Sequence, residues 1–167
     1  MRIFFLFFFV FNLNAQQSYI DYLSPYHPTI SNSGMVVSQN NLSSDIGIEI
    51  LNKGGNAVDA AVAVGFSLAV TLPRAGNLGG GGFMLVYLKE KDEIFYIDYR
   101  SKSPLNASID NIFNLNGKNI SPIDFSDDMY DKTRYGYKAP AIPGTVAGLL
   151  EAHEKFGSLP LETVLAP

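Results

Sequence analysis

The stretch GGNAVDAAVAVGFSLAVTLPRAGNLGGGGF, residues 54 to 83, decides the fold of this chain. Two glycine clusters enclose an apolar segment, Ala57 to Leu72, which has Asp59 near its start. A helix that is apolar nearly all round is a core element, and this one is shorter than the roughly 20 residues of a membrane span. We therefore predict a buried central helix that is capped by Asn56 and follows the helix-ending pair Gly54-Gly55.

The segment before this stretch predicts a strand and a helix. Gly34 to Ser38 is a short β-rich run, and Asn40 to Lys53 has an apolar residue at every fourth position, namely Leu42, Ile46 and Ile50. Because residues four apart share one helix face, these three are predicted to face the core.

The segment after the second glycine cluster predicts an antiparallel hairpin. Phe83 to Lys89 and Ile94 to Tyr99 are rich in β-branched and aromatic residues, and a charged turn separates them. Arg100 follows the second strand directly. A guanidinium at a strand end, beside bare glycine backbone, is suited to binding a carboxylate, whereas most arginines are solvated surface residues.

The four glycines at 79–82 allow two interpretations. They could present backbone N–H groups to a ligand, or they could allow two chain segments to pack closely without any ligand. A phosphate-binding loop is excluded, because no Gly-Lys-Ser/Thr follows and the glycines lead into a strand instead of out of one.

The last third of the chain predicts a short helix, a loop and two further helices. The short helix covers Ser108 to Phe113, and the polar residues 114 to 138 predict a surface loop. The next helix begins at Pro143-Gly144 and ends before Gly157, and another begins at Pro160. The apolar stripe of the longer helix consists of Val146, Leu149, Leu150, His153 and Phe156.

The composition excludes several classes of function. The chain has 167 residues, 47% hydrophobic and 17% charged, with a net charge of −4 and no cysteine. Without a basic cluster, nucleic-acid binding has little support, and without cysteine there is no disulfide, thiolate catalysis or thiolate zinc site. His27 and His153 are far apart, with His153 predicted to be a hydrogen-bonded core residue.

We expect neither a metal nor a cofactor. The acidic residues of the predicted loop lack the spacing of a calcium site and are predicted to be solvated, namely Asp124, Asp127, Asp128 and Asp131.

The N-terminus predicts export. Residues 1–15 have the pattern of a signal peptide, with Arg2 before an apolar run and Ala15 at the cleavage point. Residues 16–33 are expected to form an extended arm, and residues 34–167 an incomplete catalytic domain. We expect a periplasmic or secreted protein without a stable membrane anchor.

Taken together, these motifs resemble the gamma-glutamyltranspeptidase family, and their order and spacing match from about residue 24 to the last residue. The stretches that carry the resemblance are Gly34-Met-Val-Val-Ser38, Gly54 to Ala63, Pro73 to Phe83, Ile97-Asp-Tyr-Arg100, and Pro143 to Gly148 with Lys155-Phe-Gly157.

The resemblance implies an exported N-terminal-nucleophile hydrolase with an αββα sandwich fold, so this chain is expected to be an α+β fragment, the N-terminal part of the large subunit. Such a precursor cuts itself, and the new N-terminal threonine of the small subunit attacks the gamma-glutamyl amide of glutathione. The acyl group then passes to water or to an acceptor amine. The threonine is expected beyond Pro167, and Thr145, at a helix start, does not match it. The implied partners are a gamma-glutamyl substrate and the remainder of the precursor.

Of the family's functional residues, one maps onto this chain. Arg100 matches the arginine that binds the α-carboxylate of the gamma-glutamyl group. The family usually continues Arg-Glu-x-Ala-Pro, whereas this chain has Ser101 and Lys102 before Ser103-Pro104, so substrate affinity or choice is expected to differ. The alternative hypothesis is an inactive exported remnant that acts as a non-enzymatic binding or structural protein.

Overall fold

The computed structural model describes residues 30–113 and 134–167, and all the helices and strands described below lie in the unit Ser33–Pro167. In chain order they are α1 (Asn41–Asn52), α2 (Ala57–Thr71), β1 (Phe83–Leu88), β2 (Glu93–Asp98), α3 (Ile109–Phe113), α4 (Thr145–Phe156) and α5 (Leu161–Leu165). The predicted α+β class is confirmed. The predicted signal peptide, His27, the four loop aspartates, most of the arm and most of the 114–138 loop lie outside the described residues.

Local capping signals set the ends of the first two helices. The Asn40 side chain accepts hydrogen bonds from the first turn of α1, and Gly54 ends that helix with a φ of 87°, a conformation that favours glycine. Asn56 then caps α2 in a capping box with Asp59. The two predicted helices, the cap at Asn56 and the helix end at Gly54 are therefore confirmed, whereas the cap at Asn40 was not predicted.

Small residues decide how α1 packs on α2. Ser43, Gly47 and Ile50 are the buried residues of α1. A methyl group on Gly47 would lie 2.8 Å from Val64, so the helices approach closely there. The predicted face is therefore wrong at Leu42, which is 65% exposed, because close packing rotates the helix towards its small residues.

The strand predicted at Gly34 to Ser38 is wrong. These residues have no regular secondary structure, and among the described strands β1 pairs only with β2. The Ser38 amide donates instead to Ser44 Oγ, 3.1 Å away, while Val36 packs against the core. A β-rich run forms a strand only where a neighbouring strand accepts its hydrogen bonds.

The predicted hairpin is confirmed. Strands β1 and β2 are antiparallel and in register from Phe83 opposite Asp98 to Leu88 opposite Glu93. One face packs against the core with Met84, Val86, Leu88, Phe95 and Ile97. The outer face is exposed and consists of Phe83, Leu85, Tyr87, Ile94 and Tyr96.

Helix α4 packs against α2 and β2. Its buried residues are Gly148, Leu149 and Ala152, so the predicted stripe is correct at Leu149 and wrong at Val146, which is 38% exposed. The stripe is displaced because Gly148 allows α4 to lie directly on the ring of Tyr99. Among residues 30–113 and 134–167, no helix has the length and apolar character needed to cross a membrane.

Candidate functional site

Arg100 lies just past the end of β2, on backbone that is held from both sides. On one side Tyr99 extends the hairpin ladder, exchanging two hydrogen bonds of 3.1 and 3.3 Å with Gly82. On the other side Lys102 forms an antiparallel bridge with Ile142, with hydrogen bonds of 2.8 and 3.0 Å. The position of the Arg100 backbone is therefore fixed by main-chain contacts, independently of its side chain.

The glycine cluster is required by this arrangement. A methyl group on Gly81 would collide with the backbone of Tyr99 and Ser101, and one on Gly82 would lie 2.8 Å from the Tyr99 ring. Gly80 joins the other flank, because its carbonyl accepts hydrogen bonds from the amides of Gly144 and Thr145. Close packing of two chain segments is therefore confirmed at Gly81 and Gly82.

Tyr99 contacts both the glycine cluster at 79–82 and the start of α4. Methyl groups on Gly144 and Gly148, at the start of α4, would collide with the Tyr99 carbonyl and ring. Burial raises the pKa of the Tyr99 hydroxyl above its ordinary value of 10.0. Glycines from two distant segments thus enclose the residue before Arg100, and only the first of these segments was predicted to lie close to Arg100.

The Arg100 side chain is exposed and has no carboxylate partner among the described residues. Its backbone amide donates to Asp98 Oδ1 at 2.9 Å, and Nη1 donates to Ser101 Oγ at 2.8 Å. None of the ion pairs found between described residues involves Arg100. The guanidinium therefore has donors available for an anion.

Two surface clefts in the described part of the chain lie away from Arg100. One lies between the start of α2 and strand β1, and the other between α1, α2 and the end of α5. Neither includes Arg100 in its lining. Arg100 itself is exposed at the surface of the described residues.

A second polar cluster surrounds Asp59, whose side chain is fully buried. Its carboxylate accepts from the Asn56 amide at 2.9 Å, from Ser158 Oγ at 2.6 Å and amide at 3.1 Å, and from the Leu159 amide at 3.3 Å. Burial by itself acts to raise the pKa of Asp59, but these hydrogen bonds outweigh it and the net pKa is lowered. The group is a satisfied structural anion that joins α2 to the turn before α5.

His153 belongs to the same cluster. Its Nε2 lies 2.8 Å from the Leu159 carbonyl oxygen and 3.6 Å from Asp59 Oδ1. The prediction of a hydrogen-bonded core histidine is confirmed. The described residues contain no group of three His, Cys, Asp or Glu side chains that could hold a metal ion.

From the sequence, Asp59 was placed only near the start of α2, and its contact with Ser158 was not predicted. One signal was available, since Asp59 is an acidic residue in a segment that is otherwise almost entirely apolar. A buried carboxylate requires several donors, but the pattern does not indicate which distant residue supplies them.

Comparison with known proteins relates this chain to enzymes. The family model for gamma-glutamyltranspeptidase matches residues 43–167. The chain is 43% identical over 142 residues to the glutathione hydrolase proenzyme of Escherichia coli (strain K12), covering 85% of this chain and 23% of that protein. It thus spans about a quarter of the length of that curated relative.

Solved structures agree with the fold. The gamma-glutamyltranspeptidase of Helicobacter pylori superposes with a TM-score of 0.70 at 38% identity, covering 84% of this chain and 38% of that one. The enzyme of Pseudomonas nitroreducens, solved in complex with L-DON, gives 0.67 at 41% identity, covering 83% and 38%. The described helices and hairpin are thus part of the α+β, αββα sandwich of the N-terminal-nucleophile hydrolases. The chain therefore belongs to the gamma-glutamyltranspeptidase family.

Proposed function

We propose that this chain is the N-terminal part of the large subunit of an exported gamma-glutamyltransferase or glutathione hydrolase. The observation that carries the proposal is Arg100, an exposed guanidinium on fixed backbone, at the position where the family resemblance implies an α-carboxylate ligand. Family membership supports the reaction class, and the signal-like residues 1–15 support export.

The proposed reaction is acyl transfer through a threonine nucleophile. The threonine hydroxyl attacks the gamma-carbonyl of the donor, and its own α-amine accepts the hydroxyl proton and passes it to the amine of the donor, which leaves as the amide C–N bond breaks. Water or an acceptor amine then takes the gamma-glutamyl group from the threonine oxygen. In this scheme the threonine belongs to the small subunit, and the described residues contribute to binding and not to bond breaking.

Arg100 is proposed to bind the α-carboxylate of the gamma-glutamyl group. Its planar guanidinium offers two parallel N–H donors that match the two carboxylate oxygens. Support comes from the lack of an acidic partner among the described residues, so the full charge is available to the substrate. The close approach of Gly81 to Ser101 limits how far this backbone can shift.

Substitution of Arg100 tests this role in the complete polypeptide, by which we mean the product of the whole reading frame that contains these 167 residues. Arg100→Lys keeps the charge but loses the planar fork, so KM for gamma-glutamyl-p-nitroanilide is expected to rise by roughly tenfold or more. Arg100→Ala is expected to raise KM further, because the carboxylate then enters the site unpaired.

Arg74→Lys is the matched control, since Arg74 is an exposed arginine outside the site. It should leave KM unchanged. Unchanged KM in both Arg100 variants would refute the carboxylate role, and Arg100 would then be an ordinary surface residue.

The catalytic threonine is proposed to lie outside these residues, so the 167-residue chain by itself should release no p-nitroaniline. Turnover that follows the pure chain through purification would contradict the proposal. A reading frame that continues into a threonine-led segment supports the enzyme, whereas a stop after Pro167 supports the alternative of a non-enzymatic remnant.

Export is tested separately. Sequencing the N-terminus of the protein from the periplasm or culture medium should give residue 16 as the first residue. An intact Met1 in a protein confined to the cytoplasm would refute the proposed signal peptide.

A further inference from the structure

We propose that Ser101 is a positioning and specificity-determining residue that forms, together with Arg100, a two-residue clamp for a carboxylate. Its hydroxyl oxygen orients the guanidinium, and its hydroxyl proton is donated to the carboxylate that Arg100 binds. This inference rests on the proposed function and adds a second ligand for the same substrate group.

The hydrogen bond between the two side chains can have only one direction, from Arg100 to Ser101. Arg100 Nη1 and Ser101 Oγ are 2.8 Å apart. A guanidinium has donors and no acceptor, so the serine oxygen must accept, and its own proton must point elsewhere. Arg100 is the one hydrogen-bond partner of this hydroxyl found among the described residues. The proton is therefore available to an acceptor placed beside the guanidinium.

The backbone on which Arg100 and Ser101 lie is fixed, although their side chains are at the surface. The side-chain hydrogen bond itself is solvent-exposed, but Ser101 is half-buried and its amide lies directly against Gly81. The bridge between Lys102 and Ile142 fixes the chain immediately after it. Because the backbone of both residues is fixed, the conformational freedom that is lost on binding is confined to a few side-chain torsions.

The chemistry of serine at this position favours an anionic ligand. A carboxylate side chain at 101 would pair with the guanidinium and partly neutralise it, and it could not donate a hydrogen bond to another carboxylate. Serine keeps Arg100 oriented, leaves its charge intact and adds a donor. The clamp thus presents donors from two side chains to one carboxylate, so its contribution should depend on the α-carboxylate of the donor substrate.

The test compares two donor substrates in the complete polypeptide. Gamma-glutamyl-p-nitroanilide carries the α-carboxylate, and 4-aminobutyryl-p-nitroanilide is the same anilide without it. Ser101→Ala is expected to raise KM for the first about tenfold with kcat nearly unchanged, because it removes a charge-assisted hydrogen bond made in both ground state and transition state. It should leave kcat/KM for the second unchanged. Ser101→Thr retains the hydroxyl and is expected to restore KM to about the parent value.

Arg100→Ala, measured in parallel, separates the two hypotheses. If it raises KM while Ser101→Ala does not, the clamp is refuted and the proposed role of Arg100 stands. If neither variant changes KM, both are refuted. If Ser101→Ala impairs both substrates equally, prevents self-cleavage or lowers the melting temperature, Ser101 is merely structural and the clamp is again refuted.

Discussion

Replacing Asp59 by asparagine tests whether a buried carboxylate fastens α2 to the turn before α5. Four donors point at the Asp59 oxygens: the amides of Asn56, Ser158 and Leu159, and the Ser158 hydroxyl. The side chain is fully buried, so water does not replace a lost partner. Asparagine has nearly the same shape, and the substitution therefore changes hydrogen bonding and charge but not volume.

The magnitude follows from the loss of the negative charge. All four donors lie within 3.3 Å of Oδ2, and the Ser158 amide also lies 3.1 Å from Oδ1. An asparagine oxygen in the place of Oδ2 can keep these partners, but the hydrogen bonds become neutral, and the NH2 group in the place of Oδ1 faces the N–H of Ser158. Because hydrogen bonds to a charged group are stronger than neutral ones, the substitution costs about 1–3 kcal/mol. We expect a loss of about 2 kcal/mol in the free energy of opening this turn.

Hydrogen exchange measures the effect at the place where it arises. The Ser158 and Leu159 amides donate directly to Asp59, so their exchange rates report the opening of this turn. In the complete polypeptide a loss of about 2 kcal/mol corresponds to roughly 30-fold faster exchange. Asp45→Asn is the matched control, because Asp45 is an exposed carboxylate on α1, and it should leave both amides unchanged.

Equal exchange rates in the parent and Asp59→Asn would refute the reasoning. So would an equal acceleration by Asp45→Asn, since it would indicate a general charge effect. Either result would mean that the hydrogen bonds to Asp59 do not hold the turn.

The same carboxylate predicts a pH dependence. The pKa of Asp59 is lowered in the folded chain from its ordinary value of 3.8. Its contribution to stability is therefore complete above about pH 4 and is lost as the pH falls through the lower folded pKa. Protection of the Ser158 amide, corrected for intrinsic exchange, should fall in that acidic window in the parent protein. Asp59→Asn should not show this additional loss.

Two further predictions concern packing. Gly148→Ala places a methyl group against the Tyr99 ring, so we expect a loss of about 1–3 kcal/mol in stability, seen as a lower melting temperature. Ala147→Ser, at an exposed position of the same helix, is the control. An unchanged melting temperature in Gly148→Ala would contradict the close contact. Leu85 is 72% exposed on the outer face of the hairpin, and such a face promotes association of the chain 16–167. Leu85→Lys should therefore reduce light scattering, whereas Val86→Lys, on the buried face, should unfold the chain. Equal light scattering by the parent and Leu85→Lys would contradict association through the outer face of the hairpin.

Local features of this molecule could be predicted from sequence because their causes are local. The cap at Asn56 and the helix end at Gly54 depend on side chains and backbone torsions within a few residues. The hairpin follows from alternating apolar runs with a charged turn between them. The place of Arg100 at the end of β2 follows from the hairpin alone.

Helix faces and strand pairing could not be predicted as well, because they depend on neighbours. Apolar spacing in α1 indicated Leu42, but the close approach at Gly47 decided which side of the helix is buried. The run Gly34 to Ser38 has strand-like composition, yet a strand requires a partner that periodicity does not supply. Local propensity is a weak term that tertiary packing overrides.

By itself, the sequence determined the helices, the hairpin, the family and the candidate residue Arg100, since these depend on composition and spacing along the chain. Only the tertiary structure decided what surrounds Arg100 and Asp59. Gly144 and Gly148 enclose Tyr99 from more than 40 positions further along the chain, and Ser158 reaches Asp59 from 99 residues away. Such contacts form because burial brings distant segments to the same place, where each polar group must find a partner and each close approach must exclude a side chain.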